Sequence, residues 1–238
     1  DGDTWPRLVQ VAWQLHDATG VLVEAGDEVV VPQGFSIPFN ATKVHGITEA
    51  VAHTYGVPLE EALERFTGAV QRADFVVGHN VKFDLNIMGA EYYRLGQPNP
   101  LEQKTYLDTS RETRDFCQLK GGKGGGYKIP KLEELYEKLF GESFAEAHNA
   151  AADVEATARV FLAAVRRTIF TNDHLGWTAE QRTAFDTAQP ATVPLAGVEV
   201  QSFKELAAEL EQQEGEAHPE KGQELPPKAA AATPFSHL

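Results

Sequence analysis

The sequence predicts an α/β fold: a mixed β-sheet with an antiparallel hairpin, flanked by helices. Three observations predict it. Residues 7–15, R-L-V-Q-V-A-W-Q-L, alternate in polarity, the pattern of a half-buried strand. Residues 59–70, L-E-E-A-L-E-R-F-T-G-A-V, place Leu59, Leu63, Phe66 and Val70 on one face of a helix. Residues 75–77, Phe-Val-Val, are continuously apolar and stop at Gly78, as a buried strand does. Strand and helix patterns therefore alternate along 238 residues, room for one sizeable core plus appendages.

In chain order, D-G-D-T-W-P reads as a loop. In the strand that follows, Val9, Val11, Trp13 and Leu15 share one face, while Gln10 and Gln14 point the other way. The turn Asp17–Gly20 leads into a Val-rich strand over about 21–31, so the two form a hairpin that Pro32 and Gly34 end. V-H-G-I-T, 44–48, follows a loop, and the helix over 59–70 comes next. After the buried strand 75–77, a helix spans 82–95, with Phe83, Ile87 and Ala90 on one side; Pro98 and Pro100 break the chain. Tyr106–Thr109 reads as a short strand ending at Asp108. Residues 120–128, K-G-G-K-G-G-G-Y-K, read as a mobile loop. Pro130 opens a helix with Leu132, Leu135 and Leu139 in step, and Gly141 stops it. The last core helix runs from about 150 to 170, burying Val154, Phe161, Val165 and Ile169. The expected domains are 1–172, a core domain, 173–213, a helical extension with helices over 178–188 and 203–213, and 214–234, a disordered linker. Residues 235–238, Phe-Ser-His-Leu, read as the start of a following domain.

Bulk composition excludes some classes of function. Hydrophobic residues are 42% of the chain, and no apolar run approaches the roughly 18 residues that span a membrane. No charged-then-apolar leader is visible, so no signal peptide is expected. Cys117 is the single cysteine, which rules out an internal disulfide and a cysteine metal site and fits a reducing cytoplasm. The net charge of −14 argues against holding nucleic acid by global electrostatics. It leaves open an enzyme that meets phosphate through cations in an acidic pocket.

Two stretches carry candidate chemistry. H-N-A-A-A-D-V-E-A-T-A puts His148 five residues before Asp153, at the start of an alanine-rich helix. A carboxylate in a first turn is favoured by the helix dipole alone. A histidine just before that turn adds a general base that works near neutral pH. G-H-N-V-K-F-D ends a strand and places Asp84 where α/β sheets gather ligands; a helix-capping aspartate is the plainer alternative. His79 and Asn80 either belong to an ordinary loop or bind substrate. His45 is either a turn residue made possible by Gly46 or part of a site. Lys120, Lys123 and Lys128 form either a solvated loop or a phosphate-contacting flap.

In order, V-H-G-I-T, G-H-N-V-K-F-D, a helix, Asp-Thr and the His148–Ala158 stretch resemble the DEDDh exonucleases, the family of bacterial proofreading 3′→5′ exonucleases, over about residues 7–170. The resemblance implies a ribonuclease H-like fold and hydrolysis of DNA 3′ ends with two divalent ions, Mg²⁺ or Mn²⁺. It implies Asp84 and Asp153 as metal ligands, His148 as general base, and His45, Gly46, His79, Asn80 and Phe83 as substrate-binding residues. The family's first motif, Asp-x-Glu on a central first strand, is missing here, and Asp1-Gly2-Asp3-Thr4 matches it poorly. The expectation is a domain cut short at its front, with that strand absent. T-P-F-S-H-L at 233–238 resembles the opening of the PHP domain of the bacterial polymerase III α subunit. That implies a polymerase domain in the same chain; the lack of a long apolar run leaves no membrane partner expected. The alternatives are a nuclease trimming RNA 3′ ends, a non-catalytic protein-binding module on a nuclease-like fold, and a free-standing helper subunit.

Overall fold

The computed structural model describes residues 4–144, 148–188 and 202–217. The expectations for Asp1, Asp3 and residues 218–238 lie outside the described residues. Strand β1 (Gln10–His16) pairs antiparallel with β2 (Leu22–Val29), Gln10 facing Val29 and Leu15 facing Glu24. The turn between them is held by the Asp17 carboxylate, which accepts from Thr19 N–H at 2.9 Å and from Val21 N–H at 3.1 Å.

The loop expected before V-H-G-I-T gives way to a short helix, α1 (Phe39–His45), and a second, α2 (Glu49–Tyr55), follows that stretch. Gly46, left-handed at φ 79°, ends the first, and the Thr48 hydroxyl accepts from Val51 N–H to start the second. Seven residues are too few to display a helical period, which is why the pattern hid them. Helix α3 (Leu59–Arg72), β3 (Phe75–Gly78), α4 (Val81–Arg94) and β4 (Thr105–Asp108) follow as expected, with β3 and β4 paired in parallel. Two more single-turn helices, α5 (Thr109–Glu112) and α6 (Arg114–Cys117), come next.

The glycine-rich segment 120–128 is a closed hydrogen-bonded loop. Lys120 bridges Tyr127, and Gly122 N–H donates to Gly126 O at 3.0 Å. Helix α7 (Leu132–Phe140) ends at Gly141, φ 73°. Helix α8 (Ala150–Arg166) stops four residues short of the expected 170, because Thr168 turns left-handed at φ 62° and Ile169 N–H caps Ala164 O. Its buried stripe is Ala156, Val160, Ala163, Ala164 and Val165; Val154, Phe161 and Ile169 are only partly buried. Helices α9 (Asn172–Leu175), α10 (Ala179–Ala188) and α11 (Phe203–Ala217) complete the described chain.

Helices cover the strands on both faces. Val11 packs with Leu63 and Val70 of α3 and Met88 of α4. Its neighbours Gln10 and Gln14 instead reach α8, through Asn149 and Glu155. Successive strand residues point to opposite faces, so α8 lies on one face of the hairpin and α3 on the other. Phe170, Leu175 and Phe185 join Leu107 and Leu162 in one cluster, so α9 and α10 share packing with β4 and α8. Phe203 and Leu206 of α11 bury against Ile47 and Val51.

Candidate active site

Asp84 stands in the first turn of α4, just past the end of β3. The loop that brings it there is tied down. Asn80, left-handed at φ 61°, donates its N–H to Asp108 at 3.0 Å. Asp108 also accepts from Ser110 N–H at 2.9 Å and Ser110 hydroxyl at 2.6 Å, so this buried carboxylate caps α5 and braces the loop. His79 donates from Nε2 to Pro130 O at 3.0 Å, and its Nδ1 pairs with the Thr109 hydroxyl at 2.9 Å. Burial lowers the His79 pKa, so the ring is held neutral as a brace with both nitrogens engaged.

Asp153 occupies the first turn of α8, capped by Asn149, whose side-chain oxygen accepts from Ala151 N–H at 3.0 Å. Gln10 of β1 fixes that helix start from the side: its amide donates to Asn149 at 3.3 Å and accepts from Ala150 N–H at 3.0 Å. His148 donates its backbone N–H to Asp153 at 3.3 Å and is left-handed at φ 74°, with an exposed side chain. A positive φ is uncommon for a non-glycine residue and concentrates at functional sites.

Asp84 and Asp153 border the same cavity, and the charge of one acts on the other. Burial, then the Asp153 charge, then that of Asp108, raises the Asp84 pKa to about 6. Burial raises Asp153 to about 6 as well; the His148 N–H opposes this and the Glu133 charge adds to it. Asp84 sits deep among protein atoms yet keeps an open, solvent-facing side. Solvent therefore screens part of its environment, and its shift is the softer of the two.

The expected residues thus divide. Asp84, Asp153 and His79 border one cavity, with His148 joined to Asp153. His45 and Gly46 do not border it. His45 ends α1, where its Nδ1 accepts from Ile47 N–H at 3.0 Å and its Nε2 is buried without a partner among the described residues. Gly46 packs closely against Phe203 and Lys204 of α11. Phe83 is exposed and meets Trp5 edge-on, ring centroids 6.0 Å apart. Sequence reading missed Gln10, Asn149 and Glu133. Asn149 ahead of an alanine run was a readable cap; the reach of Gln10 across 140 positions had no local signal.

Two carboxylates at one cavity, both with raised pKa and with the charge of Asp153 acting on Asp84, fit a divalent cation with hard oxygen donors. They supply only part of a full shell, since no group of three His, Cys, Asp or Glu side chains converges among the described residues.

A family model described as exonuclease, of the RNase T type, matches residues 19–161, more than half of the chain. Among solved structures, E. coli exonuclease I in complex with a dT13 oligonucleotide superposes with a TM-score of 0.60 at 21% identity, over 76% of this chain and 42% of that one. The zinc-bound form of the E. coli exonuclease I complex with single-stranded DNA gives a TM-score of 0.59 at 21% identity, over 71% and 39%. The chain thus spans about two fifths of the length of these relatives, and the likeness is one of ribonuclease H-like fold. No curated protein sequence matches at a significant level.

Proposed function

The chain belongs to the RNase T exonuclease family, and from that premise we propose that it removes nucleotides from DNA 3′ ends by hydrolysing the terminal phosphodiester, as a proofreading activity in replication. The observation that carries this reading is the meeting of Asp84 and Asp153 at one cavity, both near pKa 6, with His148 joined to Asp153. At neutral pH both carboxyls are largely ionised, concentrating negative charge that a cation would offset.

In this reading Asp84 and Asp153 hold Mg²⁺ or Mn²⁺, two ions when the ligand set is complete. Bound there, the metal supplies a water of lowered pKa and charge relief at the leaving 3′-oxygen. His148, whose side chain is exposed, takes the proton of the attacking water on its imidazole. Its backbone hydrogen bond to Asp153 keeps base and carboxylate in register. His79 and Asn80 keep the Asp84 loop in place, and the exposed Phe83 ring offers a surface on which a terminal base stacks.

The remaining ligand belongs, on this reading, to an acidic residue on a first strand ahead of Thr4. Linkage to a polymerase rests on the resemblance of residues 233–238 alone, and the buried, unpaired Cys117 suits a reducing cytoplasm. No helix among the described residues is long and apolar enough to cross a membrane. A second reading, a non-catalytic binding module, is favoured by one observation, the shortfall of carboxylates.

The test is release of label from a 3′-labelled mismatched DNA primer by the full-length polypeptide with Mn²⁺, beside an RNA of the same sequence. The expected result is mononucleotide release from DNA, faster than from RNA. Equal or faster loss from RNA transfers the reading to RNA trimming, and no release from either leaves the binding module.

A further inference from the structure

The first N–H groups of a helix find no partner inside it and must be met from outside. At the start of α8 the Asn149 side chain meets that of Ala151 at 3.0 Å, and Gln10 of β1 meets that of Ala150 at 3.0 Å. The second cap comes from a strand 140 positions away.

A glutamine can give that cap in one orientation only. Its amide oxygen accepts and its NH2 donates, so the oxygen faces Ala150 N–H and the NH2 must face acceptors. Two are there. Gln10 Nε2 donates to the Asn149 side-chain oxygen at 3.3 Å and to the Asp27 carboxylate at 2.7 Å. The Asn149 oxygen is shared with Ala151 N–H, so it is the weaker partner. Asp27, on β2, makes the shorter bond and, when ionised, only accepts. It pairs with Ala12 across the hairpin, diagonal to Gln10, so the two side chains share the face that α8 covers. Asp27 thus selects the amide orientation that Ala150 needs.

The helix start held this way carries the candidate chemistry. Asp153 N–H donates to Asn149 O at 2.9 Å, and His148 N–H donates to the Asp153 carboxylate at 3.3 Å. Further along β1, Gln14 donates to Glu155. Asp153 therefore stands between two ties of α8 to one strand, at Ala150 and at Glu155.

We propose that Asp27 is a positioning residue: through Gln10 it holds the start of α8, and with it Asp153 and His148, in register with the hairpin. Its effect on rate rests on the nuclease reading; its effect on the helix start does not.

The test takes Gln10→Glu, Asp27→Asn and the double variant, and reads amide exchange at Ala150 and Ala151 beside primer cleavage with Mn²⁺. Gln10→Glu keeps an oxygen for Ala150, loses the NH2 and sets two carboxylates against each other. It is expected to speed exchange at Ala150 by about tenfold or more and to lower kcat by about 10²-fold, with KM nearly unchanged. Asp27→Asn alone keeps an accepting oxygen and stays close to wild type. Combined with Gln10→Glu it supplies the missing donor, and exchange and kcat recover by about tenfold. Glu28→Gln removes the neighbouring charge on the other face, where Glu28 pairs with Arg65, and recovers nothing in Gln10→Glu. Should Gln10→Glu fail to fold, Asp27→Ala, at an exposed position, is expected to speed exchange at Ala150 and lower kcat. Unchanged exchange at Ala150, a lower melting temperature with kcat unchanged, or equal recovery with Glu28→Gln, the mark of a general charge effect, overturns the proposal. A wild-type protein that cleaves no primer counts against the nuclease reading alone, since exchange still reads the helix start.

Discussion

Asp84 and Asp153 have carboxyl pKa values raised from 3.8 to about 6, and that places a cost on the folded state at working pH. Between about pH 4 and 6 the folded chain binds more protons at these positions than the unfolded chain does. Stability therefore falls as pH rises through that window and stays at the lower level above it. Removing one charge relieves the pair. Asp84→Asn is expected to raise the melting temperature at pH 8 and leave it nearly unchanged at pH 4. The gain is about 1 kcal/mol, discounted for the open side of Asp84. A lower melting temperature at pH 8 would contradict a strained carboxylate pair. Asp108 behaves differently: its hydrogen bonds to Asn80 and Ser110 assign it to the scaffold.

At the scale of elements, the junction of β3 and α4 sets where Asp84 stands. Gly78 ends β3 against Val81, the first residue of α4; a Cβ there would lie 2.7 Å from Val81 Cγ2 and 2.9 Å from its Cβ. Gly78→Ala is expected to cost about 1–3 kcal/mol by overpacking, measured by denaturant unfolding, and to shift the start of α4. An unchanged midpoint would show that the junction can yield. The hairpin, α3, α4, α7 and α8 were legible in the sequence because their periods repeat, and the four-residue β3 because a continuous apolar run stops at Gly78. The single- and double-turn helices α1, α2, α5, α6 and α9 were not, since four to seven residues complete too few turns to show a stripe. The site was legible in part. Asp84 and Asp153, singled out by the resemblance of their stretches, do border one cavity with His148 bonded to Asp153, but Gln10 bracing α8 and α11 packing at Gly46 join residues more than 130 positions apart. Such contacts leave no local pattern.

For the whole molecule, a net charge of −14 and a DNA substrate are compatible only if phosphate is met at a cation-bearing site and not by a basic surface. The architecture supports that division. Two ladders and their helices border one cavity, which Asp84 and Asp153 line, and His148 is hydrogen-bonded through its backbone to Asp153. The most direct test of this arrangement is a single-turnover measurement of primer cleavage by full-length protein and its His148→Ala variant, with Mn²⁺ at neutral pH. The account predicts a loss of roughly 10²- to 10⁴-fold in the cleavage rate, with primer affinity and melting temperature unchanged. A variant that cleaves within a few-fold of the wild-type rate would contradict the assignment of His148 as the base.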